Sequence, residues 1–326
     1  MFKIQKNILL APYTTFKIGG PAKYFSEANS TEEIKELCKW AKKEGVPVLA
    51  LGGGSNVLIS DKGFNGLVIK IQNSKFKIQK SKIIADAGVP LAKIVAEAAD
   101  AGLSGLEWAI GIPGTIGGAI NGNAGAFGKS IGELVEIVEA LEINGHQIQN
   151  SEFKIQNYKS KLKIKRLMNK DCGFGYRKSI FKRNPDLIIL SAIIRLKNGS
   201  KEEMRKAIQK NARQKKESNP VGFSAGCYFK NIGWEEIGIK KDLIAKFPEL
   251  KKFADKPKIS AGSLIENVGL KGKKIGGAVI SEKHANFIIN VGNAKAKDVI
   301  NLANLVKEKV RKRYGFDLED EVVAVI

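Results

Sequence analysis

Seven glycines fall between Gly111 and Gly128, in the run GIPGTIGGAINGNAGAFG. Glycine removes the Cβ that would hold a ligand off the backbone and permits positive φ, so successive N–H groups can converge on an anion. The run reads as a phosphate cradle. A second cradle, Gly52-Gly53-Gly54-Ser55-Asn56, follows the apolar stretch Val46 to Leu51, so a strand delivers a glycine turn to the same kind of ligand. Two cradles suit a pyrophosphate. Neither fits the commonest nucleotide motifs. Counted from Gly52, the last glycine of a dinucleotide fingerprint would fall on Val57. Gly128-Lys129-Ser130 could close a P-loop, but its leading glycine would fall on Asn123. Both mismatches argue against NAD-type and ATP-type sites.

Other motifs accompany the cradles. They are GLEWAIG leading into the long glycine run at 105, CGFGYRKSIFK at 172 to 182, SAGCYFKN at 224 to 231, SAGSLIENVGLKGKKIGGAVISEKHANFIIN at 260 to 290, and LEDEV at 318 to 322. In these pieces and their order the chain resembles the UDP-N-acetylenolpyruvoylglucosamine reductase family, flavoenzymes of bacterial peptidoglycan precursor synthesis. The resemblance covers most of the chain. It implies an α+β fold: an FAD-binding domain of the vanillyl-alcohol-oxidase (PCMH) type made of two subdomains, then a C-terminal α+β substrate domain. It also implies non-covalent FAD between the subdomains, NADPH as hydride donor, and UDP-N-acetylglucosamine enolpyruvate as the substrate reduced to UDP-N-acetylmuramate. The residues expected to hold the cofactor are Gly52, Gly53, Gly54, Ser55 and Asn56 in the first cradle. In the second they are Gly111, Pro113, Gly114, Thr115, Gly117, Gly118, Asn121, Gly122, Asn123, Ala124 and Gly125.

Reducing an enol ether that bears a carboxylate needs a hydride donor, stabilisation of the carboxylate as electron density moves onto it, and an acid for the remaining carbon. The flavin is the expected hydride source. By resemblance Arg177, in Gly175-Tyr176-Arg177, pairs with the enolpyruvyl carboxylate, for which a planar guanidinium suits a bidentate contact. Glu321 matches the family's C-terminal glutamate and is expected to stabilise the enolic intermediate. Glu319 lies on the same face by strand alternation, and Val322 fixes the register to Glu321. Cys227 stands where the family usually has a serine proton donor. A thiol of ordinary pKa, about 8.5, keeps its proton at pH 7 and can take that role. Tyr176, Lys230 and Asn231 are expected to contact substrate or NADPH phosphates. Glu266, Lys283 and His284 lie in family motifs without an equally firm role. Trp234, Phe247 and Phe253 are the large aromatics between Asn231 and Ile259, where relatives carry a lid tyrosine over the uridine diphosphate.

These residues need elements to position them. From Ile18 to about Lys70 the pattern reads strand, helix over Thr31 to Glu44 capped by Ser30 or Thr31, strand, glycine loop, strand. A helix over Leu91 to Ala101, the glycine run and alternating strands such as Ile188 to Leu196 follow. After Asn198-Gly199-Ser200 come a charged helix over Lys201 to Glu217, a strand-rich stretch to Asn290, and a helix over Lys297 to Tyr314 stopped by Gly315. The expected division is residues 1–198 for the flavin, in subdomains of about 1–70 and 71–198, and 199–326 for the substrate. Phe-Lys-Ile-Gln recurs at Phe2, Phe76 and Phe153, with an echo at Ile69 to Gln72. These copies are expected to form edge strands or hairpin insertions over Lys70 to Lys82 and Ser151 to Arg166, away from the chemistry.

The chain has 326 residues, 43% of them apolar, and a net charge of +22. The charge would suit nucleic acid, but its lysines are dispersed and carry no aromatic platform, so a solvated surface with no nucleic-acid partner is expected. It would still attract a pyrophosphate at a distance. No run approaches the roughly 20 apolar residues of a membrane span, and no signal-peptide core opens the chain, which predicts no membrane insertion and a cytoplasmic protein. Cys38, Cys172 and Cys227 show neither paired spacing nor histidine companions, so no disulfide or metal site is expected. Cys38 is expected in the core of its helix. Covalent flavin attachment through histidine, as in oxidases of this fold, has only His146 and His284 to draw on.

Overall fold

The computed structural model describes residues 2–143, 146–149, 152–155 and 162–326, the two middle segments as backbone only. The first four-stranded sheet has the order β1-β2-β5-β3, from β1 (Gln5–Leu9), β2 (Pro21–Ala28), β3 (Val48–Leu51) and β5 (Phe64–Ile71). β2, β5 and β3 run parallel, and β1 closes one edge antiparallel. The crossover between β2 and β3 is helix α1 (Thr31–Lys43), whose Ile34, Leu37, Cys38 and Ala41 form one buried stripe. Ser30 is its cap: the hydroxyl accepts the Glu33 N–H at 3.1 Å. β4 (Val57–Ile59) follows the GGGSN loop.

The second sheet is antiparallel and five-stranded, in the order Lys163–Met168, Val135–Glu142, Leu187–Arg195, β7 (Lys82–Asp86), β6 (Phe76–Gln79). Its inner face shares one apolar core with the first sheet, joined by Leu67 and Ile69 from β5, Ile83 and Ala85 from β7, and Val138 and Ile194. Helix α2 (Leu91–Asp100) and the short α3 (Ile116–Asn121) bury their apolar residues in the same core.

A second core carries the C-terminal part. Helix α7 (Ala261–Asn267) and helix α8 (Ala296–Tyr314) pack there, α8 ending at Gly315 with φ of 83°. On the first core pack α4 (Ile180–Arg183), beside α3, and α5 (Lys201–Ser218), which lies on α2 and on the turn Glu107–Ala109. The chain then returns: its last strand, Val323–Val325, adds in parallel to β4.

Two expectations from the sequence are corrected. The echo at Ile69 to Gln72 is no edge strand, because β5 lies between β2 and β3 with Leu67, Val68 and Ile69 fully buried. Lysine alternation misled because Lys70 is half-buried and its ammonium donates to the Gly52 carbonyl of the first cradle. The stretch from 232 to 290 is also not strand-rich. It holds α6 (Lys240–Lys246), a 3-10 turn over Pro248–Phe253 and α7, and its strands are only two or three residues long. The copy at Phe76 is an edge strand, β6, as expected. The insertion expected over Ser151 to Arg166 lies partly outside the described residues.

Cys38 and Cys172 are buried, and burial pushes their thiols up to about 12 and about 11. Both keep their protons and serve packing. Among the described residues no helix is long and apolar enough to cross a membrane, and no acidic, histidine or cysteine cluster could hold a metal ion.

Candidate active site

The two glycine loops meet backbone to backbone. A Cβ on Gly53 would lie 2.6 Å from the Gly114 Cα, and one on Gly52 would lie 2.7 Å from the Thr115 Oγ1. The Ser55 hydroxyl crosses between the loops to the Pro113 carbonyl at 3.1 Å. The first loop's carbonyls are turned away: Gly52 O accepts from Lys70, and Gly54 O accepts the Thr15 N–H at 3.0 Å. Gly114 O likewise accepts the Leu91 N–H at 3.0 Å. The amides of Gly53, Gly54, Ser55, Gly114 and Thr115 meet no protein acceptor among the described residues. That leaves a strip of N–H donors over two touching loops, the donor set a pyrophosphate needs. The residues present fit the diphosphate of an FAD.

The rest of the glycine run is built into the protein. Gly117 donates to the Ala87 carbonyl at 2.8 Å and packs so closely that a Cβ would meet the Ala87 Cβ at 2.8 Å. Gly118 donates to the Thr115 cap, Gly122 to Gly118 O, and Ala124 to Ala119 O. Asn121 O accepts the buried Ser179 hydroxyl at 2.6 Å. Asn123 is buried; its side chain takes the Gly132 N–H at 2.9 Å and gives to the Gly175 carbonyl at 2.7 Å. This half of the run therefore seats α3 and the Arg177 turn. Gly111 lies next to Lys215, whose ammonium donates to the Trp108 and Ile110 carbonyls and whose pKa burial lowers to about 8.

Gly53→Ala is expected to purify folded but depleted of yellow flavin. The added methyl must push the two loops apart, at a cost of roughly 1–3 kcal/mol. Circular dichroism together with the flavin-to-protein absorbance ratio measures this, and a wild-type ratio would contradict the fit.

Arg177 sits at the tip of a two-residue turn closed by Gly175 and Lys178, which exchange N–H to carbonyl bonds of 3.1 and 3.0 Å. Its φ is 55°, a left-handed conformation that costs an L-residue about 1–2 kcal/mol. The guanidinium holds it there: Nε donates to Glu321 Oε1 at 2.5 Å and Nη2 to the Gly125 carbonyl at 2.9 Å. An arginine has five N–H donors, and among the described residues two are used, which leaves three for a ligand carboxylate.

Cys227, Glu321 and Arg177 converge. The segment Cys227-Tyr228-Phe229 runs between two others: Cys227 bridges to Phe287, Phe229 bridges to Asp320, and the Glu321 N–H donates to the Tyr228 carbonyl at 2.8 Å. The Cys227 side chain is partly exposed yet crowded by protein. Burial pushes its thiol up to about 12; the Glu321 carboxylate adds to the rise, while the Arg177 guanidinium and the Asn286 carboxamide oppose it. This corrects the ordinary thiol pKa expected from sequence. Cys227 is a weaker acid than assumed, and it stays protonated throughout the neutral range. Glu321 is the less exposed of the two carboxylates, with a side chain 16% exposed against 67% for Glu319, which instead pairs with Lys230 at 2.6 Å.

A groove beside the Arg177 turn is lined by Tyr176, Lys178, Lys230, Asn231, Glu236 and Glu319, among others. The Tyr176 hydroxyl accepts the Asn231 N–H at 3.1 Å, and Lys258 lies 4.0 Å from the centre of its ring. Burial, as the largest cause, raises the Tyr176 pKa, so the phenol stays neutral. The Asn231 side chain accepts the Ala261 N–H at 3.1 Å, fixing the start of α7 against the groove. Trp234, Phe247 and Phe253, the large aromatics between Asn231 and Ile259, are buried in the C-terminal core. Glu266 pairs at the surface with Lys271, and Lys283 donates to the Lys216 carbonyl. His284 Nδ1 accepts the Asn286 N–H at 3.2 Å and its ring packs near Gly262 on α7, a structural setting.

Sequence reasoning missed Asn286 and Lys182. Buried Asn286 takes the Phe229 N–H at 2.9 Å and gives to the Phe229 carbonyl at 2.8 Å, which fixes the strand that carries Cys227. Lys182 donates to the Glu321 carbonyl at 3.0 Å. Both lie inside quoted motifs, KHANFIIN and RKSIFK, so the signal was present without a geometry to read it.

Two touching glycine loops on a mixed sheet, with an arginine, a carboxylate and a protonated thiol meeting nearby, define a flavin-dependent oxidoreductase. Comparison with known proteins agrees and narrows the class. A family model described as "FAD binding domain" matches residues 22–148, and one described as "UDP-N-acetylenolpyruvoylglucosamine reductase, C-terminal domain" matches residues 217–325. The chain is 38% identical to UDP-N-acetylenolpyruvoylglucosamine reductase of Synechococcus sp. (strain JA-3-3Ab), over 98% of this chain and 90% of that one. It is 37% identical to the reductase of Caldanaerobacter subterraneus, over 99% and 94%. The crystal structure of UDP-N-acetylenolpyruvylglucosamine reductase from Thermus caldophilus superposes with a TM-score of 0.74 at 32% identity, covering 99% of both chains. The chain belongs to the UDP-N-acetylenolpyruvoylglucosamine reductase family.

Proposed function

We propose that this protein reduces UDP-N-acetylglucosamine enolpyruvate to UDP-N-acetylmuramate with electrons from NADPH, for peptidoglycan synthesis in the cytoplasm. The observation that carries the reading is the convergence of Arg177, Glu321 and a protonated Cys227 beside loops that fit FAD. Residues 1–198 form the cofactor domain, which also lends Tyr176 and Arg177 to the substrate, and residues 199–326 form the substrate domain. When bound, FAD would supply the hydride for the methylene carbon of the enol ether, with NADPH as its reductant. The open N–H groups of Arg177 receive the substrate carboxylate and hold the negative charge that collects there. Glu321 fixes the guanidinium plane through Nε and faces the enolic oxygens. The Cys227 S–H bond then breaks and its proton goes to the carbon that bears the carboxylate; solvent returns a proton to the thiolate. A thiol of raised pKa regains that proton quickly. Tyr176, Lys230 and Asn231 orient the nucleotide in the adjoining groove, and the donors of Gly53, Gly54, Ser55, Gly114 and Thr115 carry the cofactor's diphosphate.

Acid precipitation of the yellow protein is expected to release all the colour, because neither histidine is placed on a glycine loop. Steady-state NADPH oxidation under nitrogen should depend on the UDP-enolpyruvyl sugar. Colour retained in the pellet, or NADPH oxidation indifferent to the sugar, would contradict the reading.

A further inference from the structure

Glu321 reaches the site on the returning C-terminal segment. Its carboxylate is held by Arg177, but its peptide needs anchoring as well. The Glu321 N–H donates to the Tyr228 carbonyl, and the Glu321 carbonyl receives two side-chain donors, Lys182 Nζ at 3.0 Å and Asn56 Nδ2 at 3.2 Å. Asn56 returns a second bond, its carbonyl taking the Val323 N–H at 3.0 Å where the last strand joins β4. Lys182 belongs to α4, which starts directly after the Arg177 turn. Ser179 caps α4 by accepting the Lys182 N–H at 3.1 Å and is itself fixed to the Asn121 carbonyl at 2.6 Å. One rigid turn therefore presents Arg177 to the carboxylate of Glu321 and Lys182 to its carbonyl. The half-buried ammonium also stands near Lys230 and Arg177. Burial first, then these two cations, lower its pKa against the opposing pull of Glu321 and Glu319. A cation in such company needs a fixed acceptor, and among the described residues the Glu321 carbonyl supplies it.

We propose that Lys182 is a positioning residue for Glu321: it holds the glutamate's peptide so that the carboxylate meets Arg177 and the reacting carboxylate in register. This role rests on the proposed part of Glu321 in the reduction. A carboxylate displaced by about an ångström can cost up to about 10²-fold in rate. The test is anaerobic stopped-flow of Lys182→Met and Lys182→Arg, each alone and combined with Glu321→Gln. Lys182→Met should slow reoxidation by the UDP-enolpyruvyl sugar about 10- to 10²-fold, leave reduction by NADPH unchanged, and be largely rescued by Lys182→Arg. In the Glu321→Gln background Lys182→Met should add almost no further loss, because a residue acting through another is not additive with it. Undiminished reoxidation, equal loss in both half-reactions, or a full multiplicative loss in the double variant would each overturn this role alone. Lys182→Gln carries the same comparison if the methionine variant does not fold. Failure of the unaltered reduced enzyme to respond to the sugar would overturn the proposed function, and this role with it.

Discussion

Cys227→Ala should still be reduced by NADPH at the wild-type rate and should lose most of its ability to be reoxidised by the UDP-enolpyruvyl sugar. The substitution deletes the proton donor and leaves Arg177, Glu321 and the glycine loops in place. A general acid typically contributes about 10²–10⁴-fold, and the loss in the second half-reaction should fall in that range. Cys227→Ser should restore a substantial part, since a hydroxyl supplies a proton from the same place. The raised thiol pKa adds a further expectation. With the thiol at about 12, held there by burial and the Glu321 carboxylate, the rate should show no fall from thiol ionisation between pH 7 and 10. For the same reason alkylation of the free enzyme at pH 7 should be slow, because the reactive thiolate is scarce. Reoxidation of Cys227→Ala at the wild-type rate would remove this residue from the reaction.

Arg177→Lys should bind flavin and accept electrons from NADPH normally while reoxidation falls about 10²–10³-fold, the usual cost of losing a donor to a developing oxyanion. An ammonium cannot bond Glu321 Oε1, the Gly125 carbonyl and a substrate carboxylate from one plane. It also leaves the half-buried Glu321 with a poorer partner, so the apparent KM for the sugar should rise as kcat falls. Equal loss in both half-reactions would assign Arg177 to NADPH instead.

Much of this site was legible in the sequence because its parts are contiguous. Gly52 to Asn56 announces a cradle, Gly175-Tyr176-Arg177 matches the family's arginine motif, and the α+β class, the flavin domain and the family follow from the order of such motifs along the chain. What was not legible depends on residues that meet only after folding. Asn56 and Glu321 are 265 positions apart and Lys182 and Glu321 are 139 apart, so no local pattern links them. The glycine run looked uniform, yet Gly114 and Thr115 turn their amides outward while Gly117, Gly118 and Gly122 use theirs for α3 and its packing. That distinction is made by the partner Ala87 and by the helix itself. Lys70 was misplaced for a related reason: alternating lysines usually mark an edge, but here the neighbouring loop offers a carbonyl acceptor. The Cys227 thiol looked ordinary because a pKa set by burial and by Glu321 has no trace in the local sequence.

The central claim is that one site couples flavin to the enolpyruvyl carbon through Arg177, Glu321 and Cys227. Its most direct test is a single turnover: protein reduced by one equivalent of NADPH under nitrogen, freed of NADP and mixed with UDP-N-acetylglucosamine enolpyruvate. The account predicts prompt return of the oxidised flavin spectrum and formation of UDP-N-acetylmuramate in an amount equal to the flavin. Flavin that stays reduced until oxygen is admitted, with the sugar recovered unchanged, would contradict it.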